Sequence, residues 1–206
     1  MPVRPRARRL LLDFDNVLAR YRREVRVAHL AAHAGTRFSR VWQALYESGL
    51  EARYDAGQVA TADYLRELGE GIGAAVDEQA WLEARLAATT ADARVLARLL
   101  ALDPALPMAV LTNNGELAAR VVPRVVGPLA PRLEGRVLCS GSLGGRKPDP
   151  RVYLLALERL GWSAADTLFV DDLFSNVQGA RAAGLHADSA RDARALGRVL
   201  KRFGLT

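Results

Sequence analysis

Short apolar runs that end abruptly in polar residues constrain this chain most. Leu10-Leu11-Leu12 runs into Asp13-Phe14-Asp15, and Leu168-Phe169-Val170 runs into Asp171-Asp172. A brief, continuously apolar run bounded by polar groups reads as a strand buried on both faces, the kind found in parallel sheets. Met108-Ala109-Val110-Leu111-Thr112, followed by Asn113-Asn114-Gly115, and Val137-Leu138-Cys139 read the same way. Helical spacing fills the intervals: residues 93–102, 116–126, 150–160, a stretch ending at Gly184, and 191–202 after one more short strand. Strands alternating with helices predict an α/β fold, a Rossmann-like parallel sheet core with helices on both faces. Ligands in such sheets bind at the carboxyl ends of the strands.

Between the first strand and the rest of the sheet the pattern changes. Residues 22–88 are helical almost throughout, with apolar positions at helix spacing such as Val25, Ala28, Ala32 and Phe38, Val41, Trp42, Leu45. Thr61 is a plausible helix cap, and Asp77-Glu78 opens another helix with acids in its first turn. No strand candidate interrupts this stretch. The expected division is therefore a catalytic core from residues 1–18 and 90–206, and a small all-helical cap domain from residues 19–89.

Composition excludes several classes. Half of the 206 residues are hydrophobic and a quarter are charged, which rules out collagen-like and wholly disordered chains. Cys139 is the single cysteine, so neither an internal disulfide nor a cysteine-based zinc site can form. No apolar run approaches the roughly 20 residues of a membrane helix, and the start lacks a signal-like apolar stretch. The expected location is the cytoplasm, with no membrane partner. Lys and Arg number 29 against 23 Asp and Glu, a net +6. Part of the excess sits in Arg4, Arg6, Arg8 and Arg9, and the rest is scattered without an aromatic-interleaved stripe. That pattern predicts solvated surface rather than a specific nucleic-acid partner.

The strand ends carry the chemistry. Alternation along an extended chain puts Asp13 and Asp15 on one side, roughly 7 Å apart at their Cα atoms. Thr112 and Asn113 end the second strand and Asp171-Asp172 the fourth, while Arg146-Lys147-Pro148-Asp149-Pro150 precedes a helix. Carboxylates crowded together repel each other and must share a proton or a cation. An oxygen-only cup suits Mg2+, which keeps waters and accepts a substrate phosphate as a further ligand. A lysine and a hydroxyl supply donors to phosphate oxygens. One carboxylate can then attack phosphorus while another exchanges protons with leaving group and water.

These segments, in this order, resemble the four motifs of the haloacid dehalogenase-like hydrolase superfamily. Asp13-Phe-Asp-Asn-Val-Leu is similar to the first, Leu111-Thr112-Asn113 to the second and Lys147-Pro-Asp-Pro to the third. Phe169-Val-Asp171-Asp172 with Asn176 and Gly-Ala-Arg-Ala-Ala-Gly is similar to the fourth. The matched framework spans about residues 9–187, and four motifs in order are far more specific than any one. The helical block resembles the cap that one large subclass inserts after the first motif, where it closes over the site and sets substrate choice.

The resemblance implies a magnesium-dependent phosphatase of small phosphorylated metabolites. Asp13 would be the nucleophile and Asp15 the acid/base. Thr112, Asn113 and Lys147 would hold the phosphoryl group. Asp13, the Asp15 backbone carbonyl and Asp172 would bind Mg2+, with Asp171 supporting them from behind. The chain departs from the pattern at Asn16, where many members have Gly; Asn tolerates positive φ, so the turn is expected to survive.

Blander readings stand beside each assignment. Asp171 or Asp172 could cap the following helix, Thr112 could be a capping hydroxyl and Lys147 a solvated loop lysine. His29, His33 and His186 are expected to be structural or exposed, Cys139 to be a buried strand residue, and Trp42, Trp81 and Trp162 to pack in the core. Arg20, Tyr21, Tyr46, Arg53 and Tyr54 are within reach of a leaving group, but helix packing accounts for most of them. Rival functions are a sugar phosphomutase, a 2-haloacid dehalogenase (disfavoured by the second acid, Asp15) and a non-catalytic binding protein. The expected assembly is a monomer or homodimer.

Overall fold

The structure is a computed structural model and describes residues 7–206. Arg4 and Arg6 of the basic N-terminal run lie outside the described residues. Strands β1 (Arg9–Leu12), β4 (Met108–Thr112), β5 (Val137–Cys139), β6 (Thr167–Asp171) and β7 (His186–Ser189) form one sheet in the order β5-β4-β1-β6-β7. All four pairings are parallel. β1 is central, as its three fully buried leucines require.

Period-two alternation divides these strands between two cores. Leu10 and Leu12 face the same side as Met108, Val110, Leu168 and Val170, against helices α6 (Ala93–Leu100), α7 (Ala118–Val126) and α10 (Ala193–Arg202). Leu11, Ala109, Leu111 and Phe169 face the other side, against α8 (Pro150–Leu160) and α9 (Phe174–Ala182). Each fully buried leucine contributes about 1.5–3 kcal/mol. The register sets Leu12 level with both Val110 and Val170, so the polar residues that follow emerge together at one sheet edge.

Between β1 and α6 the chain forms α1 (Arg23–His33), α2 (Phe38–Trp42), α3 (Leu50–Asp55), α4 (Thr61–Ile72) and α5 (Glu78–Ala87), with a π-helical turn at Gln43–Glu47. Two details differ from the sequence expectation. The segment is entered and left by a short antiparallel ribbon, β2 (Ala19–Tyr21) and β3 (Thr89–Ala91). Three residues are too few to show a strand periodicity. Thr61 is the first residue of α4 rather than its cap, because its hydroxyl is bonded to Tyr54 and to Glu116. Asp77 does cap α5, accepting from Ala80 N at 2.7 Å.

Candidate active site

The turn after β1 brings the first acids into place. Asn16 has φ +64°, the left-handed conformation anticipated for it. Ala19 N donates to Phe14 O and Asn16 N to Ala19 O, a bridge that makes no use of the Asp15 carbonyl. Asp13 Oδ1 accepts from Phe14 N at 2.8 Å and lies 2.8 Å from Lys147 Nζ. Lys147 Nζ also donates to Asp171 Oδ2 at 2.7 Å, so the buried ammonium joins two acids from different strands. Burial opposes its charge, but Asp13 and Asp171 outweigh burial and its pKa lies above the ordinary lysine value.

Asp13 behaves differently. Burial raises its pKa more than Lys147 lowers it, Asp171 raises it further, and it reaches about 8. Burial and Asp171 also raise Asp172. Asp13, Asp171 and Asp172 each place a carboxylate oxygen within 4.8 Å of the others. One lysine does not neutralise three crowded acids, and an oxygen-only donor set of this kind fits a hard divalent cation such as Mg2+. The two acids of the pair differ in their partners. Asp171 accepts from Lys147, from Leu173 N at 2.9 Å and from Asn176 Nδ2 at 3.0 Å to each oxygen. Asp172 is only half-buried and borders the cavity.

Thr112, 1% exposed, accepts from Asn114 Nδ2 at 2.7 Å. The Asn113 side chain makes a two-way bond to the Lys147 backbone, donating to its O at 2.9 Å and accepting from its N at 2.8 Å. It thus pins the lysine loop to the end of β4. A cavity of about 410 Å³ is lined by Asp13, Asp15, Thr112, Asn113, Lys147 and Asp172 together. The residues singled out at the strand ends therefore converge on one place, with Asp171 buried behind the cavity and bonded to Lys147. A larger groove of about 1090 Å³, between α6 and α10, contains none of them.

The sequence reading missed the buried polar groups behind the opposite wall. Arg85 of α5, 1% exposed, donates through Nη2 to Asp15 Oδ1 at 2.9 Å and Oδ2 at 2.6 Å. Asn114 Nδ2 donates to Asp15 Oδ2 at 3.0 Å. Arg26, equally buried, pairs with Glu51 and donates to Tyr64 Oη at 2.8 Å, and Trp81 Nε1 donates to that same oxygen at 3.1 Å. Burial works to raise Glu51, yet Arg26 outweighs it and holds its pKa below the usual range. Asp55 accepts from Gly115 N at 2.9 Å, beneath the loop that follows Thr112. Of the five earlier candidates, Tyr21 and Tyr46 line the cavity, with their hydroxyls 3.1 Å apart. Arg20 faces a neighbouring groove, Arg53 pairs with Glu67, and Tyr54 packs under Gly115. Spacing offered a signal: Arg85 follows Trp81, and Arg26 precedes Leu30, by one helical turn on rows that are otherwise buried and apolar.

A parallel sheet with acids, a hydroxyl and a lysine gathered at its carboxyl edge, facing a helical segment inserted after the first strand, defines an α/β protein with a polar, acid-rich site. Residues 8–184 match the haloacid dehalogenase-like hydrolases, and the chain belongs to that family. Phosphatase MT3486 of Mycobacterium tuberculosis is 42% identical over 83 residues, covering 40% of this chain and 37% of that protein. The chain spans under two fifths of the length of the curated relatives it matches. A HAD-like family hydrolase from Porphyromonas gingivalis has a similar structure, with TM-score 0.74, 22% identity, and coverage of 95% of this chain and 98% of that one. HAD family enzyme bt-2542 from Bacteroides thetaiotaomicron, in complex with magnesium and inorganic phosphate, superposes with TM-score 0.73 at 20% identity, covering 89% and 93%. At such identities the structural likeness speaks for the fold. Among the described residues, no helix is long and apolar enough to cross a membrane.

Proposed function

We propose that this chain is a magnesium-dependent hydrolase of small phosphomonoesters that works through a phosphorylated Asp13. The observation that carries the reading is the meeting of Asp13, Thr112, Lys147 and Asp172 on one cavity. The phosphatase name of the mycobacterial relative and the magnesium and phosphate of the bt-2542 complex support it.

In this reading Asp13, the Asp15 carbonyl and Asp172 hold Mg2+, with Asp171 fixing Lys147 and the turn behind them. The cation supplies charge stabilisation for two anions that must meet. Thr112 Oγ1, the Asn113 backbone N–H and Lys147 Nζ bind the phosphoryl oxygens. An Asp13 carboxylate oxygen attacks phosphorus as the bond to the leaving oxygen breaks, and Asp15 gives that oxygen its proton. Asp15, now ionised, takes a proton from water as the water oxygen bonds to phosphorus. The acyl phosphate then breaks, releasing inorganic phosphate and the Asp13 carboxylate. Residues 19–89 act as the cap, core residues 1–18 and 90–206 carry the chemistry, and the cavity volume favours a small leaving group.

Hydrolysis of para-nitrophenyl phosphate tests the reading. The chain should turn over with Mg2+, lose activity with a chelator, and lose at least about 10³-fold in kcat on Asp13→Asn, as removal of a covalent nucleophile does. Full turnover by that variant, or none by the unaltered protein, rejects the proposal.

A further inference from the structure

We propose that Arg85 is the positioning residue for Asp15: helix α5, through one buried guanidinium, sets the carboxyl group that exchanges protons with leaving group and water. The inference rests on the reading of Asp15 as acid/base. Arg85 is 1% exposed and does not line the cavity, so it acts through its neighbour rather than on substrate. Its Nη2 reaches both Asp15 oxygens, at 2.9 and 2.6 Å, and Asn114 Oδ1 at 3.3 Å. The guanidinium sits over Tyr21, with Cζ 3.5 Å from the ring centre, which holds it in place. Asn114 donates to both Asp15 and Thr112, completing a brace that runs from α5 to the end of β4.

A buried guanidinium without a counter-ion is strongly unfavourable, and Asp15 is the acid that Arg85 contacts. The pairing therefore holds Asp15 as firmly as it holds Arg85. An acid/base must lie within about 3 Å of the atom it serves. A displacement of about 1 Å costs on the order of 10²-fold in rate. Asp15 sits on a turn and its side chain retains 22% exposure, so its own loop does not fix it. Arg85 comes from the segment inserted after β1, two elements away from the catalytic strands, and the geometry of the acid/base is thus set by that segment.

Steady-state kinetics on two aryl phosphates test this. Phenyl phosphate needs its leaving oxygen protonated, whereas 2,4-dinitrophenyl phosphate does not. Arg85→Gln should lower kcat on phenyl phosphate by about 30–100-fold, with KM changed less than about threefold. Phosphoryl transfer from dinitrophenyl phosphate in a single turnover should slow less than about threefold. On an Asp15→Asn background Arg85→Gln should cost no further activity, because the two act as a unit. Arg85→Lys, which keeps the cation but not the fork, should show the same selectivity with a smaller loss and serves if the Gln variant does not fold. Equal losses on both substrates, or a further tenfold loss on the Asp15→Asn background, would overturn the proposal. Hydrogen exchange gives a reading independent of turnover: amides of residues 15–20 should exchange faster in Arg85→Gln while those of β1 and β6 do not change. Unchanged exchange at 15–20 also overturns it. Activity of the unaltered protein in the same assay reports on the phosphatase reading separately.

Discussion

Asp55 places a partly buried carboxyl group at the cavity, under the backbone of Gly115 and beside Glu51. Burial, then the Glu51 charge, push its pKa up to about 8 from an ordinary 3.8. The folded protein keeps this proton through a window in which the unfolded chain has released it. The native state therefore binds more protons between those pH values, and stability falls as pH rises through them. Each unit of displacement is worth about 1.4 kcal/mol, and 1 kcal/mol moves Tm by about 2–4 °C in a chain of this size. Metal-free protein should accordingly melt several degrees lower at pH 8 than at pH 6. Asp55→Asn keeps an acceptor for Gly115 N and removes one of two titrations in this window, the other being that of Asp13, so it should reduce the slope without abolishing it. Calorimetry across the pH range, with and without the substitution, checks the outcome; an unaltered slope would show that Asp55 is ionised throughout.

Helix α9 meets the loop carrying Lys147 at Gly179. A Cβ there would stand 2.0 Å from Pro148 O and 2.8 Å from Pro148 C, both backbone atoms. Helix and loop would have to separate, and Lys147 sits one residue from the contact. Overpacking of this kind costs about 1–3 kcal/mol, against a gain of up to about 1 kcal/mol in helix propensity. Gly179→Ala should therefore lower Tm by up to about 12 °C and reduce kcat by more than about tenfold through displacement of Lys147. Melting curves and kinetics on one preparation separate the two effects. The elements themselves were largely readable beforehand. Leu10-Leu11-Leu12 and Leu168-Phe169-Val170 read as buried strands because each run is short, wholly apolar and bounded by polar residues. The ribbon β2–β3 was not readable, since Ala19-Arg20-Tyr21 and Thr89-Thr90-Ala91 carry no period. The inward turn of Arg26 and Arg85 was signalled only by their spacing on apolar rows, a weak signal because in a chain with 29 Lys and Arg a helical arginine is ordinarily solvated. The folded packing selects the buried face, through Trp81 and Tyr64 around Arg26 and through Tyr21 and Asp15 around Arg85.

At the scale of the whole molecule, a chain of net charge +6 concentrates three mutually close carboxylates at one sheet edge. Folding creates that cluster from residues far apart in sequence, so the unfolded chain has no equivalent site. A cation bound there stabilises only the folded state, by RT ln(1 + [L]/Kd), or about 2.7 kcal/mol at a concentration 100 times Kd. Such a gain raises Tm by about 5–11 °C for a protein of this length. The acids of the pair should respond in opposite ways. Asp171 is fully buried and held by Lys147, Leu173 N and Asn176, so Asp171→Asn removes one of the two acids on a buried ammonium and weakens its charged hydrogen bonds, and should destabilise the metal-free protein by about 1.5–3 kcal/mol. Asp172 is half-buried and lines the cavity. Asp172→Asn relieves repulsion from Asp171 and should leave metal-free Tm unchanged or slightly higher, while abolishing the rise on addition of Mg2+. Thermal melts of the three proteins over a Mg2+ titration decide the matter. A Mg2+-dependent rise that survives in Asp172→Asn would move the ligand role away from that residue, and the absence of any rise in the unaltered protein would remove the cation from this site.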